Sequence, residues 1–195
     1  MRIKTIKKAY EPPFSYKPII YSEVPEKVKT KKFNVSLAIL GGGDGGVLYE
    51  LLKHNPGSAT LIDIDKEVIN TARKYLKDIC FDAFDHPGVT IINADANTFL
   101  DEKHDFDAIV YDLTMHPESF INIDREIYLD GIFSKIRDNL KEGGIVSVQC
   151  CSQFDATTRG MITEILNKHF SDVTFTKSYI PSYCVSWVFA SAKRK

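Results

Sequence analysis

Four aspartates, Asp44, Asp63, Asp95 and Asp112, stand where apolar runs give way to polar segments, and the first lies inside the string Gly41-Gly42-Gly43-Asp44-Gly45-Gly46. A carboxylate can hold an ammonium, accept hydrogen bonds from ribose hydroxyls, or take a proton from an attacking amine. The glycines leave room for a ligand to approach backbone amides at the start of a helix. A dinucleotide pyrophosphate would use that geometry, but an anionic Asp44 among the amides repels it and complements an amine or sulfonium. No Lys-Ser/Thr pair follows the glycines, so a Lys-containing phosphate loop is excluded. Asp63 follows Gly43 by twenty residues, the offset at which an acid receives both ribose hydroxyls of a nucleoside. Together these features describe a nucleoside joined to a cationic group. S-adenosylmethionine and its relatives have that chemistry, and NAD fits it less well. Each acid taken alone also reads as the N-cap of the next helix.

The elements that must position these acids follow from periodicity. Val35 to Leu40 is a short apolar run, the glycine string is a turn, and Val47 to Leu52 reads as a helix. Strands are expected at Thr60 to Ile64, Val89 to Ala94, Phe106 to Asp112 and Ile145 to Cys150, with a helix at Lys66 to Leu76. A longer helix from about Asp124 to Leu140 is expected to stop at Gly143-Gly144, and another runs near Thr157 to Phe170. Two β-rich stretches, Val173 to Tyr179 and Ser186 to Ala190, are joined around Pro181. Alternating strands and helices imply a mostly parallel sheet covered on both faces, with its ligand site at the carboxyl ends of the strands. Asp44, Asp63, Asp95 and Asp112 fall at those ends.

Composition narrows the class. The chain has 195 residues, 44% hydrophobic and 26% charged, enough for one sizeable core. No apolar run approaches the ~18 residues of a membrane span, and the Met1-Arg2-Ile3-Lys4 start carries no secretory signal, so a cytoplasmic location is expected. The four cysteines show no metal-finger spacing; reduced thiols and no metal site are expected. Residues 1–32, with four prolines, carry a charge balance of +6 and read as a basic arm or short β segment; residues 33–195 carry −7 and read as one catalytic domain. An acidic body is a poor partner for nucleic acid and attracts cationic small molecules.

Five segments together resemble the polyamine aminopropyltransferases: Ile39 to His54 (ILGGGDGGVLYELLKH), Ile62 to Asp65 (IDID), Ala94 to Ala96 (ADA), Tyr111 to Pro117 (YDLTMHP) and Pro181 to Phe189 (PSYCVSWVF). The DLT loop and the PSY tail are more similar to spermine synthases than to spermidine synthases. The resemblance implies a class I methyltransferase-like Rossmann fold, with a mostly parallel seven-stranded sheet, a C-terminal antiparallel hairpin and helices on both faces. It implies transfer of an aminopropyl group from decarboxylated S-adenosylmethionine, the co-substrate, to a polyamine, releasing methylthioadenosine without a metal. By position, Asp112 would be the general base and Asp44 would hold the donor's ammonium. Gly41, Gly43, Asp63, Asp95 and Ala96 would bind the nucleoside, and Tyr183 would meet the acceptor.

Three positions depart from the family's pattern. Asp63 stands where Glu is usual, Val185 replaces an acid of the spermine-type tail, and Met115 replaces the second Asp of the spermidine-type loop; Glu118 is the nearby acid that could compensate. The resemblance implies an N-terminal β-rich domain that helps close the site and supports dimerisation, where here about 34 residues precede the first strand; a homodimer, or pairing with a full-length relative, is the expected assembly. Two other activities share this pattern: an S-adenosylmethionine-dependent methyltransferase, and a catalytically silent regulatory subunit. Tyr111 and Gln149 read as lining residues, Trp187 as core, His116 as an exposed loop histidine, and Cys150-Cys151 as a buried strand feature.

Overall fold

A computed structural model describes residues 34–195 except 115, 117 and 119–121. The basic arm expected over residues 1–32 lies outside the described residues. The chain runs β1 (Ser36–Gly41), α1 (Gly46–Leu52), β2 (Ser58–Asp63), α2 (Lys66–Tyr75), α3 (Lys77–Cys80), β3 (Val89–Asn93), α4 (Ala96–Phe99) and β4 (Phe106–Asp112). It continues through α5 (Arg125–Asn139), β5 (Leu140–Ser152), α6 (Ala156–His169), β6 (Phe170–Ile180) and β7 (Val185–Arg194). The seven strands form one sheet in the order β3-β2-β1-β4-β5-β7-β6. The first five run parallel, and β7 inserts antiparallel between β5 and β6.

Period-two alternation in β1 sends its side chains to two separate apolar layers. Leu37 and Ile39 pack with Leu48, Leu61, Ile69, Ala72 and Phe84 on one face. Ala38 and Leu40 join the other layer, where Ile132, Phe133 and Ile136 of α5 and Ile162, Ile165 and Leu166 of α6 cover the sheet. Both faces of β1 are therefore dry, which explains its uninterrupted apolar sequence. Aspartate starts most of the helices. The carboxylates of Asp65, Asp95, Asp124 and Asp155 each accept from backbone amides in the first turn of α2, α4, α5 and α6.

One expectation fails at Gly143-Gly144. The helix ends at Asn139, within a residue of the expected Leu140, but the glycines are not its stop: the buried Asn139 side chain donates to the Lys135 and Leu100 carbonyls and accepts from the His104 amide. Leu140 is already extended and begins β5. The glycines instead form an irregularity inside that strand, between the pairs Phe106–Leu140 and Ala108–Ile145. Gly143 has φ +70°, and a Cβ on Gly144 would stand 2.9 Å from the Lys141 carbonyl. Further along, β6 and β7 extend beyond the stretches read from sequence. They meet through a 3-10 turn at Pro181–Tyr183, closed by Cys184 in the left-handed region at φ +52°.

Candidate active site

Strand order reverses between β1 and β4, whose following connections leave toward opposite sides of the sheet. Their carboxyl ends pair directly, with Gly41 opposite Asp112. A Cβ on Gly41, which has φ +84°, would lie 2.4 Å from the Asp112 carbonyl oxygen, so glycine is required for this approach. The two connections bound a cleft of about 320 Å³ that Gly42, Gly43, Asp44, Asp112, Arg125 and Tyr183 help to line.

The rest of the glycine turn is fitted to the protein itself. The Gly43 amide donates to Asp63 Oδ2 at 2.8 Å, and a Cβ there would meet that oxygen at 2.6 Å. Asp63 Oδ1 accepts from the Asp65 amide at 2.8 Å, so one carboxylate ties the turn after β1 to the turn after β2. A Cβ on Gly45, which has φ +78°, would meet the Cys80 and Phe84 side chains at 2.7 and 2.6 Å. Close internal packing thus explains these glycines as fully as ligand access does.

The four acids occupy different settings. Asp112 lines the cleft at the end of β4, and burial, followed by the charges of Asp44 and Asp63, pushes its carboxyl up from 3.8 to about 7. Asp44 also lines the cleft; it is exposed, and its Oδ1 accepts from the Gly46 amide at 2.8 Å. Asp63 ends β2 with both oxygens engaged as described. Asp95 lies two residues beyond β3 and caps α4, accepting from the Thr98 amide at 2.8 Å, with Ala96 buried behind it. Asp44 and Asp112 therefore share the cleft, while Asp63, Asp95 and Ala96 lie outside its lining.

Tyr183 lines the cleft from the turn between β6 and β7, half exposed, its ring 4.9 Å from that of Trp187. Tyr111 and Gln149 line it as well. Burial raises the Tyr111 hydroxyl far above its ordinary value and pushes the Cys150 thiol up to about 12, so neither ionises at neutral pH. Cys150 and Cys151 are buried free thiols. Among the described residues no group of three His, Cys, Asp or Glu side chains is disposed to hold a metal ion, and no helix is long and apolar enough to cross a membrane.

Sequence reasoning passed over Arg125, which lines the cleft as the first residue of α5. Its Nη1 lies 2.8 Å from His116 Nδ1, and its Nε lies 3.9 Å from Oε1 of the buried Glu118. A cation in a helix's first turn opposes the helix dipole, and that misplacement was the available signal.

The chain matches the spermine/spermidine synthase domain over residues 15–195. It is 31% identical over 188 residues to a polyamine aminopropyltransferase of Pyrobaculum neutrophilum, covering 91% of this chain and 64% of that protein. It is 35% identical over 164 residues to polyamine aminopropyltransferase 1 of Aquifex aeolicus, covering 82% and 57%. A polyamine aminopropyltransferase of Korarchaeum cryptofilum matches at 29% over 170 residues, covering 86% and 49%. The chain thus spans about half to two thirds of the length of these curated relatives. Among solved structures, a spermidine synthase in complex with the transition-state analogue AdoDATO superposes with a TM-score of 0.69 at 28% identity, covering 83% of this chain and 54% of that one. The spermidine synthase of Thermotoga maritima also has a TM-score of 0.69 and 28% identity, covering 83% and 53%. These two structural neighbours carry the spermidine synthase name, and they do not confirm the spermine-type reading of the DLT loop and PSY tail. With the matched domain extending over most of its length, the chain belongs to the spermine/spermidine synthase family.

Proposed function

We propose that this protein is a polyamine aminopropyltransferase, taking an aminopropyl group from decarboxylated S-adenosylmethionine to a linear polyamine and releasing methylthioadenosine. The observation that carries the reading is Asp112, a largely buried carboxyl lining the cleft and held at about 7 with Asp44 and Asp63 as anionic neighbours. Three carboxylates brought together repel one another until a cation enters. A ligand with a sulfonium and an ammonium supplies that charge, and a protonated acceptor amine adds to it.

A protonated amine has no lone pair with which to attack carbon. Asp112 accepts its proton, and a base with a pKa near the working pH suits that transfer. The nitrogen then displaces the sulfur in line: the new C–N bond forms as the C–S bond breaks, and the sulfonium leaves as a neutral thioether. Asp44 holds the donor's ammonium and disfavours the carboxylate of intact S-adenosylmethionine. Asp63 receives the ribose hydroxyls in exchange for one of its present backbone partners, beside Gly41 and Gly43. Asp95 accepts from the adenine amino group over Ala96, and Tyr183 packs against the acceptor. Holding two cations at attack distance is the larger share of the work.

In this reading residues 33–195 form the catalytic domain and residues 1–32 a basic arm. The test is incubation of purified protein with decarboxylated S-adenosylmethionine and a panel of diamines and polyamines. Methylthioadenosine released with at least one acceptor supports the activity; none released with any acceptor overturns it.

A further inference from the structure

Gln149 lines the cleft together with Asp112, and the scheme above gives it no task. In the β4–β5 pair Tyr111 stands opposite Val148, and both side chains join the apolar layer covered by α5 and α6. The next residue of each strand, Asp112 and Gln149, points away from that layer; Val110, two residues before Asp112, packs on the opposite face. The two polar residues are therefore neighbours on one face, on strands about 4.8 Å apart. Gln149 is also paired with Phe189 of β7, and that ladder shifts register immediately after it. A bulge of this kind re-aims the side chain beside it.

Both groups face the cleft without a protein partner. Burial and the charges of Asp44 and Asp63 raise the Asp112 carboxyl, with no hydrogen bond opposing them. No described residue hydrogen-bonds the half-buried Gln149 side chain, so its amide does not donate to Asp112 and its Oε1 keeps its acceptor capacity. When a primary ammonium passes a proton to Asp112, the electron pair stays on nitrogen along the broken N–H bond and points at Asp112. Attack requires that pair to face the donor carbon. The nitrogen must turn about its C–N bond, and its two remaining hydrogens then need two acceptors. Protonated Asp112 keeps one oxygen for the first. A further carboxylate for the second would push Asp112 up again and hold the amine in its protonated form. An amide oxygen accepts an N–H at any working pH and adds no charge.

Resting on the aminopropyltransferase reading, we infer that Gln149 is a catalytic residue whose Oε1 accepts a second N–H of the attacking amine and turns its lone pair toward the donor carbon. The proton goes to Asp112, the C–N bond forms, and the C–S bond breaks with its electron pair leaving on sulfur. Gln149 thereby favours primary amines over alkylated amines of the same length and charge.

Calorimetry tests this independently of turnover. Wild type, Gln149→Met and Gln149→Glu, each saturated with methylthioadenosine, are titrated with 1,4-diaminobutane and with its N,N,N′,N′-tetramethyl derivative, whose ammonium groups carry one hydrogen each. Wild type should prefer the primary diamine by about tenfold or more, the worth of one hydrogen bond to a charged group. Gln149→Met should lose that preference through weaker diamine binding, with methylthioadenosine affinity and urea unfolding unchanged. Gln149→Glu, which keeps an acceptor oxygen, should retain the preference. An undiminished preference in Gln149→Met overturns the inference, as does an equal loss for both amines, which marks a structural role. Wild type that prefers neither amine, or binds neither, overturns it too. Methylthioadenosine release by wild type is scored separately: its absence overturns the activity, whereas the ratio of the two amine affinities decides Gln149.

Discussion

Asp112→Asn removes a proton acceptor while keeping the shape of the side chain, and it separates the chemical role of Asp112 from its electrostatic cost. The carboxyl is held at about 7 against an ordinary 3.8, chiefly by burial and then by Asp44 and Asp63. Because the folded-state value is raised, the group's stabilising contribution is complete below about pH 4 and is lost as pH rises toward 7. Across that window the folded protein keeps a proton that the unfolded chain has released, which costs about 1.4 kcal/mol of stability per pH unit. From pH 5 to pH 8 the wild type should therefore lose on the order of 3 kcal/mol relative to Asp112→Asn, with the loss levelling off above pH 7. Urea unfolding of both proteins across this range measures the difference. In parallel, Asp112→Asn should lower turnover by about 10²–10⁴, the usual contribution of a general base, while methylthioadenosine affinity stays within about threefold. Wild-type kcat/KM should rise as pH increases through 7, because the base works only when deprotonated. A stability difference that does not vary with pH would refute the electrostatic argument, and turnover retained within tenfold would remove Asp112 from the base role.

Asp44→Asn should weaken decarboxylated S-adenosylmethionine by about ten- to a hundredfold, the loss of one charge-assisted hydrogen bond, and leave methylthioadenosine, which has no ammonium, almost unaffected; calorimetry with both ligands decides it. Gly45→Ala forces a side chain into a left-handed position against Cys80 and Phe84, and should cost about 2–5 kcal/mol in urea unfolding. A thiol reagent at pH 8 should modify exposed Cys184 in the native protein, and Cys80, Cys150 and Cys151 only after unfolding, as mass spectrometry of the peptides will show. Rapid labelling of Cys150 in the folded state would contradict its raised pKa and burial.

The parallel half of the sheet was legible because β1, β2 and β4 are buried on both faces and so appear as short apolar runs. The strand Phe106–Asp112 has the same bounds in sequence and structure. Periodicity placed the end of α5 within a residue of Asn139, but not the immediate start of β5 at Leu140 instead of Ile145, a boundary set by Asn139 reaching the Leu100 and Lys135 carbonyls. The short helices α3 and α4 carry too few residues for a period to register. At the site, aspartates at strand ends were visible as a pattern, but their division was not. Pairing of Gly41 with Asp112 places one acid against the cleft, whereas Asp95 is occupied in capping a helix. Arg125 and Glu118 come together only through the loop after β4, and no spacing rule connects a buried carboxylate to a first-turn arginine.

The glycine turn joins fold to chemistry more tightly than a passive ligand cradle would. Gly41 allows β1 to lie against the Asp112 backbone, and a Cβ on Gly42 would stand 3.3 Å from the Asp112 carboxylate. The Gly43 amide fixes Asp63, and the Gly46 amide fixes Asp44. Two of the charges that raise the Asp112 pKa are thus anchored by backbone amides of the same six-residue string that brings Asp112 to the cleft. Their mutual repulsion is held in place by hydrogen bonds that the glycine turn and the first residue of α1 make on folding. In the proposed reading a cationic ligand relieves this repulsion, so part of its affinity would derive from the packing that made these glycines necessary.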